Sequence, residues 1–186
     1  MKKILLSLAL TAIVAMGLAS PAAAESANNW FDRGFDCQIQ GDIKNALEHY
    51  TKAIEIDPAF AMAYQMRGAA NQKLKKYQQA LSDYSMVINC GETNFRAVGY
   101  YNRGIVKNMT GDFSGATADF SQAIALDGKM APAFFHRAIA RSKTGDFPGR
   151  QEDFRQAARL GDLNAEAWLN TYCPGWREMP LAGGPS

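Results

Sequence analysis

An all-α protein built from repeated antiparallel helix hairpins is what this sequence predicts, and three observations carry that expectation. An arginine followed by a small residue recurs as Arg33-Gly34, Arg67-Gly68, Arg103-Gly104 and Arg137-Ala138, at spacings of 34, 36 and 34 residues. Twelve residues beyond the small residue stands Ala46, Ala80 or Ala116, and four residues further an aromatic, Tyr50, Tyr84 or Phe120; the fourth copy reads Arg150 and then Phe154. Midway through the copies fall the pairs Gly41-Asp42, Lys75-Lys76, Gly111-Asp112 and Gly145-Asp146. Glycine takes the left-handed residue that ends one helix, and aspartate caps the next.

Ahead of the repeats, Met1-Lys2-Lys3 opens an apolar run from Ile4 to about Ala19, which Pro21 breaks before Ala22-Ala23-Ala24 and Glu25. A basic start, an apolar stretch shorter than the roughly 20 residues of a membrane span, and small residues before a cut describe a signal peptide over residues 1–24. The mature chain is therefore expected to be exported, to the periplasm of a Gram-negative bacterium or beyond it, with no membrane insertion after cleavage. Losing Lys2 and Lys3 takes Lys plus Arg from 20 to 18, against 18 Asp plus Glu. Balanced charge offers no footprint for a phosphate backbone, so a nucleic-acid partner is not expected.

Within the repeats, Trp30, Tyr64, Tyr100 and Phe134 form an early aromatic column, Ala53, Val87, Ala123 and Ala157 a late small one, and Pro58 closes the first copy. This pattern resembles the tetratricopeptide repeat (TPR), with copies at about 27–60, 61–94, 97–130 and 131–164. The resemblance implies a right-handed α-solenoid, a TPR-like superhelix of four repeats, within a domain over 25–173. A C-terminal capping helix over 165–173 places Trp168 in the aromatic column. Gly34, Gly68 and Gly104 are expected to face Ala46, Ala80 and Ala116. The two extra residues between the second and third copies are assigned to a loop over 90–94. Arg150 stands where a small residue belongs, so the fourth hairpin is expected to splay and Arg150 to reach water. Pro174-Gly175 and the Gly- and Pro-rich end assign 174–186 to a flexible tail, and the apolar Trp176 and Met179 leave open its folding back onto the last hairpin or into a groove.

Sixteen residues after Arg67, Arg103 and Arg137 stand Asp83, Asp119 and Asp153, which reads as a structural ion pair within each hairpin; in the first copy His49 follows Arg33 instead. Two histidines, His49 and His136, and three dispersed cysteines, Cys37, Cys90 and Cys173, form no metal-ligand spacing and call for no metal, cofactor or intrachain disulfide. No nucleophile–base arrangement appears, so the chain is read as non-catalytic.

The resemblance further implies that the first helix of each hairpin lines a concave partner-binding groove. By position it holds Asn28, Phe31, Phe35 and Gln38; Met62, Gln65, Ala69 and Gln72; Val98, Tyr101, Ile105 and Asn108; and Phe135, Ile139 and Ser142. Some members clamp a C-terminal carboxylate with Lys, Asn and Arg, but here Phe31, Phe35, Val98 and Asn102 occupy those positions. A scaffold or adaptor that holds a protein or peptide partner through apolar and amide contacts is the implied function. A structural subunit or homo-oligomer assembled through the edges and caps of the solenoid stays open beside it.

Overall fold

The computed structural model describes residues 25–179; residues 1–24, read above as a signal peptide, and residues 180–186 lie outside them. Among the described residues there are nine α-helices and no strand. Four antiparallel pairs come first: α1 (Ala27–Ile39) with α2 (Ile43–Ile56), α3 (Ala61–Lys73) with α4 (Tyr77–Cys90), α5 (Thr93–Thr110) with α6 (Phe113–Leu126), and α7 (Ala131–Thr144) with α8 (Phe147–Arg159). A single helix, α9 (Leu163–Tyr172), closes the array. Each second helix also packs on the first helix of the next pair, so contacts run between neighbours along the chain. No described helix is long and apolar enough to cross a membrane.

The turns follow from their residues. Gly41, Gly111 and Gly145 take φ of +83°, +89° and +83°. Asp42, Asp112 and Asp146 then accept a hydrogen bond from the backbone N–H three residues on, at 3.2, 2.9 and 2.9 Å. Between the helices lie Ala46, Ala80, Ala116, Tyr50, Tyr84 and Phe120, all buried. The apolar interior forms separate clusters strung along the array, one per hairpin junction.

Four expectations need correcting. The repeat glycines meet the aromatic column before the alanines: a Cβ added at Gly34, Gly68 or Gly104 would have as its nearest neighbour the ring of Tyr50, Tyr84 or Phe120, at 2.7, 2.9 or 2.8 Å. A ring wedged between two helices needs that missing methyl more than a second small residue does.

The two extra residues are not in a loop. Only Gly91 and Glu92 separate α4 from α5, and α5, with 18 residues against 13 in α3, begins a turn early because Phe95 packs beside Ala53, Tyr64 and Val87.

The fourth hairpin is not splayed: α7 packs on α8 as closely as α3 does on α4. Arg150 does not extend to water either. Its guanidinium carbon lies 4.9 Å from the ring centres of both Phe147 and Trp168, because α9 brings Trp168 over it and aromatic faces attract a weakly hydrated cation.

The residues assigned to a flexible tail begin, at 174–179, by turning back on the last hairpin. Trp176 is 5% exposed and joins Phe134, Phe154 and Leu169 in the terminal cluster. Its indole N–H donates to Asn170 Oδ1 at 3.0 Å, and Arg159 donates to the Met179 carbonyl at 2.7 Å.

Candidate partner-binding groove

Two sets of repeated polar residues sit on this scaffold, and they do different work. The first lies inside the hairpins. Arg67, Arg103 and Arg137 pair with Asp83, Asp119 and Asp153 at 2.7, 2.8 and 2.7 Å. These carboxylates are 3, 4 and 1% exposed, and each takes a second partner one helical turn beyond the arginine: Asn71 at 2.9 Å, Lys107 at 2.8 Å and Arg141 at 2.8 Å. Each arginine also reaches back to the preceding hairpin, donating to Thr51, Ser85 and Ser121 at 3.2, 3.0 and 2.9 Å.

That hydroxyl column, immediately after Tyr50, Tyr84 and Phe120, joins neighbouring hairpins and was missed from the sequence, although it stands at the same position in each of the first three copies. In the fourth copy Arg155 takes the place of the hydroxyl and pairs with Glu152. In the first, Arg33 pairs with Glu25 at the surface, and His49 stacks beside Trp30. The set is a spine that holds hairpins together.

The second set lies on the first helices. A cleft of about 510 Å³ opens between α3 and α5, lined by Gln65, Met66, Ala69, Gln72, Lys73, Lys75, Tyr77, Tyr84, Asn102 and Met109. Gln72 is held from below, because the buried Tyr84 hydroxyl donates to its Oε1 at 3.0 Å and leaves its amide N–H free to approach Met109 Sδ at 3.6 Å. Burial raises the Tyr84 phenol above the ordinary tyrosine range, so it stays a donor. In the first hairpin Tyr50, pushed up to about 12 by burial, holds Gln38 likewise at 3.1 Å. In the third, Phe120 has no hydroxyl to give, and Asn108 Oδ1 is buried without a partner.

The residues assigned to the groove divide between cleft and packing. Gln65 and Gln72 line the cleft, while Met62 and Phe35, 38 and 41% exposed, stand on the surface. Phe31 packs on Tyr50 and Phe60 with ring centres 5.6 and 5.2 Å apart. Tyr101 lies against Phe120 and His136 at 6.0 and 5.9 Å, Phe135 against Phe154 at 5.6 Å, and Ile105 and Ile139 against buried clusters. These five complete the junctions between hairpins.

Met66, Lys73 and Met109 line the cleft but were not assigned to it, and Asn102, noted only as standing at a clamp position, lines it too. Met66 and Asn102 stand 36 residues apart, as do Lys73 and Met109, each one residue beyond an assigned position. Gln65, Ala69 and Gln72 keep their assigned place, and the added residues lie on the adjoining flank of each helix, about 100° round at 3.6 residues per turn.

A family model described as TPR repeat matches residues 38–75. The fold is TPR-like. The TPR repeat-containing thioredoxin TDX of Arabidopsis thaliana is 34% identical over 87 residues, which is 47% of this chain and 22% of that protein. Hsc70-interacting protein 1 of Drosophila melanogaster is 34% identical over 109 residues, 59% of this chain and 26% of that protein. The stretch this TPR-like array shares with these relatives spans only about a quarter of their length. Among solved structures, the crystal structure of MamA superimposes with a TM-score of 0.69 at 21% identity, over 75% of this chain and 81% of that one, a likeness of fold. The TPR-like array offers no cluster of metal-ligating side chains among the described residues.

Proposed function

We propose that this chain is an exported, non-catalytic scaffold that holds an extended segment of a partner protein in the cleft between α3 and α5. The cleft itself carries the reading: amides at Gln65, Gln72 and Asn102 can meet a peptide backbone, and Met66 and Met109 adapt to side chains. The likeness to an Hsc70-interacting protein supports protein binding. Phe31 and Phe35 in place of a carboxylate clamp argue for a different mode of capture.

The test places a photo-crosslinking amino acid at Asn102 in the full chain, expressed in cells. We expect a crosslinked partner polypeptide that disappears, by about tenfold, when Gln65→Ala and Met109→Ala are added, with the helical circular dichroism unchanged. Crosslinks to nothing, or adducts indifferent to those substitutions, would sink the groove reading. Crosslinks only to a second copy would favour a structural subunit, for which the exposed Ile39, Leu163 and Tyr172, 71, 77 and 69% exposed on the first and last helices, supply apolar contact surface. Export is tested by sequencing the N-terminus of the cell-envelope fraction. A start at Glu25 is expected, and a chain that keeps residues 1–24 in the cytosol would overturn it.

A further inference from the structure

The turn between α3 and α4 departs from its three counterparts in a way that the fold does not need. The other three turns use Gly-Asp, the glycine with φ between +83° and +89° and the aspartate capping the next helix. Here Lys75 takes the left-handed position at φ +59°, and among the described residues it is the one non-glycine with positive φ. Lys76 follows, and α4 has no side-chain cap. A Cβ in the left-handed region is strained, and such strain persists where the side chain has a use.

Both Lys75 and its neighbour Lys73 line the 510 Å³ cleft, and no carboxylate lines it with them. Among the described residues neither lysine forms an ion pair. At its other end the cleft meets a second depression of about 260 Å³ formed by Gln65, Asn94, Phe95 and Val98, so Gln65 is common to both. The extra turn of α5 builds that apolar end. The groove therefore runs from an apolar pocket to an unpaired pair of cations.

Resting on the groove reading above, we infer that the occupant is an acidic peptide segment: an Asp or Glu side chain meets Lys73 and Lys75, and an apolar side chain fills the Phe95–Val98 pocket. Phe95 and Met109 are fourteen residues apart on α5, roughly 21 Å at 1.5 Å per residue. An extended strand covers that in about six residues, which sets the spacing between the acidic and apolar groups.

The probes are fluorescein-labelled decapeptides in which a Leu and a Glu-Glu pair are separated by two to seven Ser residues, in both orders, with Gln-Gln and Lys-Lys controls. Fluorescence anisotropy with the full chain should show the Glu-Glu peptides binding at least tenfold tighter than the Gln-Gln set, with an optimum near a separation of six. Lys75→Gly should weaken the Glu-Glu peptides about fivefold and leave the Gln-Gln peptides unchanged, while raising the melting temperature by about 2 °C. Lys73→Gln should weaken the same peptides with no gain in melting temperature.

Glu-Glu and Gln-Gln peptides binding alike, with crosslinking at Asn102 intact, would overturn the acidic-segment proposal and leave the groove reading standing. Glu-Glu binding that ignores both lysine substitutions would overturn the proposal too. If no peptide binds and Asn102 crosslinks to nothing, both readings fall together. Tighter binding of a single-stranded oligonucleotide than of any peptide would also overturn it.

Discussion

Asp153 is 1% exposed and lies 2.7 and 2.8 Å from the guanidinium groups of Arg137 and Arg141, so three charged hydrogen bonds, two from Arg137 and one from Arg141, stand in for the water it has lost. Removing one side of such a buried arrangement strands the charge on the other. Asp153→Ala should therefore cost about 3 kcal/mol in urea unfolding. Thr51→Val removes only a neutral acceptor from Arg67 and should cost about 1 kcal/mol. Equal costs would mean that the spine is governed by side-chain volume and not by charge.

The ring of His136 is packed by Tyr101, Phe120 and Phe135, and burial lowers its pKa, with the Asp162 charge opposing. The unfolded chain takes up this proton near pH 6.5, the folded chain only at lower pH. Stability is then full above about pH 6.5, declines as pH falls below it, and levels off once the folded imidazole also protonates. Melting temperatures from pH 8 to pH 5 should show that decline in the wild type and a shallower one in His136→Phe. Parallel curves would assign the decline to the carboxylates.

Among the helices, α4 is the one second helix that begins without an aspartate. Asp42, Asp112 and Asp146 each satisfy a backbone N–H that Lys76 leaves without a side-chain acceptor. Lys76→Asp should stabilise the protein by about 1 kcal/mol, seen as a higher melting temperature, and no gain would mean that water already serves that N–H equally well.

The same scale explains what could be read in advance. Columns at a period of about 34 residues specify hairpins, since arginine, alanine and aromatic recur at fixed offsets whatever the turn does. Offsets do not say which of two candidates a glycine meets first across an antiparallel pair, because Ala46 and Tyr50 lie one turn apart on the same helix face and a small shift along the axis exchanges them. Nor does composition reveal that Thr93 and Asn94 are helical. They look like turn residues, and the packing of Phe95 overrides that preference. The groove was legible as a face, where Gln65, Ala69 and Gln72 line the cleft, while Met66, Lys73, Asn102 and Met109 lie on the flank beside it and join them only because α3 and α5 sit side by side.

Across the whole molecule, the apolar interior is divided into clusters that each bridge adjacent elements, and the arginine spine likewise links each hairpin only to the one before it. Stability in such an array is a sum of local terms and nearest-neighbour couplings, so damage at one end should fade with distance. Trp176 is the natural place to apply it, being buried in the terminal cluster and anchored to Asn170 outside any helix. Trp176→Ala should cost about 3 kcal/mol locally. Native-state hydrogen exchange should then speed up by more than about tenfold in α8 and α9, less in α7, and not measurably in α1 to α4. A uniform loss of protection across all nine helices would mean instead that the hairpins open as one cooperative unit, with the hydroxyl-to-arginine links between them strong enough to carry the damage from one end of the array to the other.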